Sequence, residues 1–333
     1  MKIVMLCHNE FLVNSSGINT FITQMENMCN DMKIEYEIIT PYKENIKHNN
    51  IYWVKSLNNC IQDLYNKYNI ENNIYISDSL FTLPLLDLLS KSLKQGTFIH
   101  YTHIGDLLHD DVNNFDFTKQ EKDLTINILN NNNKIILGTQ SKNLQEHLSN
   151  TFSKTKVKCL PEPLYIFKEN YEDLKLYDVS CVMSNSKRKK IPKVIELCEK
   201  LNLSLNLITN ILGEYNINQL INDSKAQINL LTEIPNNNIP SCVSLSKILI
   251  YFSDIEVFPY AIIENASVVP VIINNNTLWG KLFPEELVYK VDYNNIEECK
   301  NLILSNLKPK MNLKEYQQYT INKWKQLDGE NEL

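Results

Sequence analysis

Leu160 to Tyr177 reads LPEPLYIFKENYEDLKLY, and this stretch decides how the chain divides. Pro161 and Pro163 each remove a backbone donor, and the charged residues that follow keep no strand or helix period. A regular element therefore stops here. On its N-terminal side, β-rich runs alternate with amphipathic stretches. The runs are KIVMLC, EYEIIT, IYWV, NIYIS, TFIHYTH, KIILGT and VKCLPEPL. Between them INTFITQMENMCNDM, NNCIQDLYNKY, LFTLPLLDLLSKSL and SKNLQEHLSNTF carry apolar residues at helical spacing. On the C-terminal side the rhythm resumes with DVSCVM, IPKVIELCEKL, SLNLIT, QINLL and VPVII, and NLKEYQQYTINKWKQ forms a final amphipathic helix. Strand then helix, repeated, implies parallel sheets with crossover helices. The expected class is α/β: two Rossmann-like, doubly wound domains facing each other across a cleft at the carboxyl ends of their strands. The boundaries fall at 1–165 and 166–310, with 311–333 as a C-terminal helix packing back toward the first domain.

Composition agrees with that division. A chain of 333 residues suits two domains of roughly 150 each. The net charge of −6 gives no overall pull toward nucleic acid or anionic membrane, so any such grip must come from a local patch. The eight cysteines show no CxxC and no Cys/His metal spacing, which reads as reduced core thiols in a cytosolic protein. No run approaches ~18 apolar residues and the N-terminus lacks a signal-peptide cleavage pattern. A soluble cytoplasmic protein without integral membrane association is expected.

Three loops hold candidate chemistry. After the first strand, HNEFLVNSSGIN leads into the first helix, and Gly17 is the only glycine before Gly96. A glycine at a helix start lets backbone approach a ligand and aims free N–H groups at an anion, although Ser15, Ser16 and Gly17 also serve as plain capping residues. In HYTHIGDLLHDD, period-two alternation puts His103 on the face of Tyr101 and His100 on the other. His103 then donates to a substrate hydroxyl or a developing charge in the cleft, and His100 packs in the core. The histidine spacing lacks the i, i+4 geometry of a helical zinc site. In SNSKRKKIPK, Lys187 to Lys190 occupy a strand-to-helix turn. Such a run is a solvated loop, a diphosphate cradle or a grip on nucleic-acid phosphates.

The fourth feature is a pair of acids. SDIEVFPYAIIENASVVPVII reads as a strand ending near Glu256, a turn at Pro259, a short helix bearing Glu264 near its N-terminus, then a strand. Two carboxylates flanking an anion-friendly helix start suit a ligand with a diphosphate between two polyols. A capping glutamate plus an unrelated surface glutamate gives the same spacing.

On these residues the chain resembles the retaining glycosyltransferases of the GT-B fold. Glu256 to Glu264 matches their E-x7-E motif, EVFPYAIIENASVVPVI is similar to its surroundings, and KIVMLCHNEFLVNSSGINTFITQ is similar to their first strand, glycine loop and helix. FIHYTHIGDLLH and YAIIENASVVPVIINNNTLWGKLF look like the matching parts of the T-even phage DNA α-glucosyltransferases. The resemblance implies a GT-B architecture and transfer of a sugar from a nucleotide donor, commonly UDP-glucose, to a hydroxyl with retained configuration. It implies no metal and no cofactor beyond the UDP-sugar co-substrate. Glu264 would hold the ribose, Glu256 would face the sugar, and Gly17, Arg188, Lys189, Tyr260 and Ala261 would complete the donor site. His103 would lie by the acceptor, which that resemblance makes a hydroxymethylated base in double-stranded phage DNA. A surface-glycan acceptor and an idle nucleotide-sugar-binding protein are the competing readings. The chain departs from the family in lacking the Gly-Arg pair after the first strand of the second half, and in reading ENASVV where the family has a glycine before the next strand.

Overall fold

The computed structural model describes residues 2–8, 17–41, 48–54, 56, 60–68, 72–79, 82–101, 119–165, 174–256 and 258–327. The chain divides into two compact units, Met1–Tyr165 with Gln317–Leu333, and Ile166–Tyr316.

The first unit contains β1 (Lys2–Leu6), α1 (Gly17–Met32), β2 (Glu35–Thr40), β3 (Ile51–Trp53), α2 (Ile61–Tyr68), β4 (Ile74–Ser77), α3 (Leu83–Ser92), β5 (Thr97–Tyr101), α4 (Lys119–Asn131), β6 (Ile135–Thr139), α5 (Lys142–Thr151) and β7 (Lys156–Cys159). Its strands lie in the order β3-β2-β1-β4-β5-β6-β7, and every pairing is parallel. All of β4 and β5 is buried, as expected of central strands covered by helices on both faces. On α1, Phe21, Ile22, Met25, Met28 and Cys29 form one buried stripe, the helical period seen in the sequence. At the edge, β7 alternates exposed Lys156 with buried Val157, and its charge discourages pairing with another strand.

The second unit repeats the plan: β8 (Tyr177–Val182), α6 (Ile191–Leu201), β9 (Leu205–Ile208), α7 (Ile217–Asp223), β10 (Ile228–Leu231), α8 (Ile239–Ser244), β11 (Ser246–Tyr251), α9 (Tyr260–Ile263), β12 (Val271–Asn274), α10 (Leu278–Leu282), β13 (Tyr289–Val291) and α11 (Ile296–Ile303). The order is β10-β9-β8-β11-β12-β13, again parallel throughout. In both sheets the chain starts in the middle, builds outward on one side, then crosses to build the other. The reversal falls between β1 and β4 and between β8 and β11. Loops leaving those neighbours diverge, so the crevice beyond their carboxyl ends is where such sheets bind ligands.

The last helix, α12 (Leu313–Lys325), brings its C-terminal part into the first unit. There Trp324 Nε1 donates to the Pro161 carbonyl at 2.9 Å, and Gln317 Nε2 donates to the Leu164 carbonyl at 2.7 Å. The Trp324 ring stacks on Tyr101 with centroids 6.1 Å apart. No two cysteines form a disulfide, and seven of the eight are buried. Burial pushes the Cys29 and Cys198 thiols up to about 12, so they are poor nucleophiles near neutral pH. Among the described residues no helix is long and apolar enough to cross a membrane.

One element that positions the site departs from the sequence reading. Only the end of the central strand β11 is read in the sequence, because it begins two residues after α8, with no glycine or asparagine turn to mark its start. The expected strand end at Glu256 is corrected accordingly: the strand stops at Tyr251, and Glu256 lies in the loop beyond it.

Candidate functional site

The site is assembled where β8 and β11 run side by side, with Val179 opposite Ile248 and Ser180 opposite Leu249. The chain leaves β8 through Met183 to Ser186 and makes a single 3-10 turn at Lys187–Lys189. Lys190 then takes the left-handed conformation, φ 46° and ψ 34°, which redirects the chain into α6. Pro192 fits the first turn of α6 because no intrahelical partner awaits an N–H there. The chain leaves β11 through a loop that ends at Pro259, where α9 begins.

These two exits are tied to each other. Asp254 N–H donates to the Arg188 carbonyl at 2.8 Å, Ser253 Oγ lies 3.3 Å from the same carbonyl, and Lys190 Nζ pairs with Asp254 at 2.6 Å. At the centre is Glu256. Its Oε1 accepts from Lys189 Nζ, from Arg188 Nη1 at 3.1 Å, from Tyr251 Oη at 3.0 Å and from Ser253 Oγ at 2.9 Å. Arg188 Nη1 also reaches the Ile255 carbonyl at 2.9 Å. All four side-chain donors converge on one oxygen, and Oε2 receives none of them.

Electrostatics follow from this geometry. The Glu256 side chain is 11% exposed and that of Lys189 only 7%. Burial alone would push the Glu256 carboxyl up, but the Lys189 ammonium and Arg188 guanidinium outweigh it and hold the group below its ordinary value. Burial pulls Lys189 below the usual lysine range even with the carboxylate working against it. Tyr251 is pushed well up, first by burial and then by the charge of Glu256, so its hydroxyl remains a donor. Arg188, by contrast, is 39% exposed and Lys187 is exposed, which leaves cationic groups at the surface of the same turn.

A second layer holds the Glu256 loop. The Ser253 carbonyl accepts from Asn274 Nδ2 and from Trp279 Nε1, both at 2.8 Å. Gly280 lies so close to the end of β12 that a Cβ there would sit 1.9 Å from the Asn274 carbonyl oxygen.

Of the residues singled out in sequence, Arg188, Lys189 and Glu256 are brought together. Tyr260 opens α9 and is buried, with Ala261 half-buried behind it. Glu264 is half-buried; the short helix expected to bear it is present, but its expected place near the helix N-terminus is corrected. Helix α9 is one turn long and Glu264 is its C-terminal cap, with its N–H donating to Tyr260 at 2.8 Å. Gly17 begins α1 in the first unit. His103 lies outside the described residues. His100 is buried with Nδ1 3.0 Å from Ser77 Oγ, the packing position expected of it. The sequence reading missed Tyr251, Ser253, Asn274 and Trp279. Only Tyr251 and Ser253 had a local signal, at the end of the apolar run SKILIYFS.

No protein-family model matches the chain, and no curated protein does. Solved structures do. A TarM structure superposes with a TM-score of 0.74 at 12% identity, covering 98% of each chain. Sucrose-phosphate synthase from Thermosynechococcus elongatus gives 0.73 at 12% identity, over 99% of this chain and 98% of its own. Anabaena HepE in complex with UDP and glucose gives 0.69 at 11% identity, over the full length of both. At such low identity the likeness establishes the fold, which is GT-B.

Proposed function

We propose that this chain is a glycosyltransferase that takes a sugar from a nucleoside diphosphate donor, UDP-glucose in the first instance, and passes it to a hydroxyl with retained anomeric configuration. The observation that carries this reading is the convergence of Arg188 and Lys189 on Glu256 at the switch point of the second sheet. The complex of HepE with UDP and glucose, on the same fold, supports the donor class.

In this reading Arg188, joined by the exposed Lys187, meets the charge that develops on the departing diphosphate, so the reaction needs no metal, and Lys189, expected at the donor, acts on it through Glu256 instead. Glu256 is anchored through Oε1 and offers Oε2 to a sugar hydroxyl. Glu264 takes the ribose hydroxyls, with Tyr260 and Ala261 lining the donor and Gly17 approaching the diphosphate. The acceptor hydroxyl attacks from the face the diphosphate leaves, and the leaving phosphate accepts its proton. The protein contributes positioning and charge stabilisation rather than a covalent nucleophile. His103 serves the acceptor.

The acceptor in this reading is a hydroxymethylated base of duplex DNA, modified in the cytoplasm (the host's, if the chain is phage-encoded). The net charge of −6 favours a second reading, a glycan acceptor, because a duplex is gripped by cations. Labelled UDP-glucose incubated with hydroxymethylated DNA, unmodified DNA and simple glycans decides between them. Label in hydroxymethylated DNA alone is expected, and label in glycan alone overturns the DNA assignment. Tight nucleotide binding with no turnover of any donor would mean an idle binding protein.

A further inference from the structure

Asn185 lies between β8 and the basic turn and is 4% exposed. Its side chain is fully engaged with one neighbouring loop. Nδ2 donates to the carbonyls of Ile211 and Tyr215, both at 2.9 Å, and Oδ1 accepts from Tyr215 N–H at 2.9 Å. The backbone adds two more bonds. Asn185 N–H donates to Asn210 Oδ1 at 2.9 Å, and its carbonyl accepts from Glu214 N–H at 3.1 Å.

The same loop then grips the basic turn itself. Glu214 Oε2 accepts from Ser186 Oγ and from Lys187 N–H, both at 2.7 Å, and Tyr215 Oη donates to the Lys187 carbonyl at 3.0 Å. Apolar burial does not hold this loop in place, since Ile211 is 45% and Leu212 84% exposed. Hydrogen bonding through Asn185 does. Gly213 backs onto that residue so closely that a Cβ would fall 2.2 Å from the Asn185 carbonyl oxygen. The turn is thus clamped from two sides, by the Glu256 loop and by the loop of residues 210–215.

We propose that Asn185 is a positioning residue for the donor diphosphate: it fixes the backbone of Ser186 to Lys189, and so aims their cations and N–H groups, without touching the ligand. The proposal rests on the donor reading above. A buried carboxamide is what this task requires, because donors and acceptors must be met on both of its faces. Asn185→Asp keeps the volume but turns an NH2 that serves two carbonyls into an oxygen that repels them. Gly213→Ala presses on the same junction from the other side while leaving the amide intact.

The test measures binding of UDP directly, and of uridine by competition, to the full-length protein and its variants. Asn185→Asp and Gly213→Ala are expected to weaken UDP by about tenfold or more, as the loss of one or two buried hydrogen bonds would. Uridine binding, which does not use the turn, changes less than about twofold, a factor worth well under 1 kcal/mol. Asn210→Ala, at an exposed position where folding is not at risk, gives a smaller loss in the same direction. Leu212→Ser, at the exposed tip of the loop, leaves both affinities unchanged. Undiminished UDP affinity in folded Gly213→Ala and Asn210→Ala overturns the proposal, as does an equal loss of UDP and uridine. If the wild-type protein binds neither UDP nor another nucleoside diphosphate, the donor reading itself fails and this inference with it.

Discussion

Replacing Glu256 by Gln removes the carboxylate from a lysine whose side chain is only 7% exposed. Breaking such a pair from one side costs toward the lower end of ~3–5 kcal/mol, because the partner's charge is left buried and uncompensated. Melting temperature and turnover should therefore both fall in Glu256→Gln. Adding Lys189→Met should restore most of the melting temperature and none of the turnover, separating anchoring from sugar binding. The pH dependence has a definite sign. The folded-state value of Glu256 lies below its ordinary one, so its stabilisation is complete above the unfolded value of about 4.3 and is lost as pH falls through the folded value. The melting-temperature gap between wild type and Glu256→Gln is widest near neutrality and closes in acid. A gap that persists unchanged in strong acid would show that the loss has a steric rather than an ionic origin.

At the scale of elements, the Glu256 loop depends on the ends of β12 and α10. The Ser253 carbonyl is held by Asn274 and Trp279, and Ser253 Oγ holds Glu256 Oε1. A methyl group at Gly280 cannot be placed without moving the Asn274 carbonyl. Overpacking of this kind costs ~1–3 kcal/mol. Gly280→Ala should lower the stability by that amount, seen as a fall in melting temperature, and also raise the KM for donor, because Asn274 moves with its hydrogen bond to the loop. An unchanged KM in a destabilised Gly280→Ala would mean that the second layer is structural only. Much at this scale was legible in the sequence. Strand β2 and helix α6 coincide with EYEIIT and IPKVIELCEKL, because a run rich in β-branched and aromatic residues and a clean 3.6-residue stripe leave little choice. Helix α4 was missed, its polar first half KQEKD offering no apolar period. Strand β13 was missed too, three residues being too few to show a pattern.

For the whole molecule, the return of α12 makes residues from the far end of the chain part of the first unit's core. Trp324 is 2% exposed, and its truncation to Ala costs ~3–5 kcal/mol. Hydrogen exchange should report where that cost falls. Amides of β5, β6 and β7 in the first unit should exchange faster in Trp324→Ala, with those of β8 and β11 in the second unit unchanged. Faster exchange confined to β8 and β11 would contradict the assignment of α12 to the first unit's core.

The sequence by itself determined the fold class, the division near Leu160 to Tyr177, and the two segments that carry the charged groups. Those features rest on local periodicity and on proline, which act within a few residues. Only the tertiary structure decided that Lys189 would be buried on Glu256, that Tyr251 and Ser253 would share the same oxygen, and that Asn185 would clamp the basic turn. The first and the last of these link residues that lie apart in the chain and meet only because the strand order brings β8 between β9 and β11, while Tyr251 and Ser253 reach Glu256 through the fold of one loop. Hydrogen bonds of that kind leave no period in the sequence, because partners are chosen by the sheet and not by spacing along the chain.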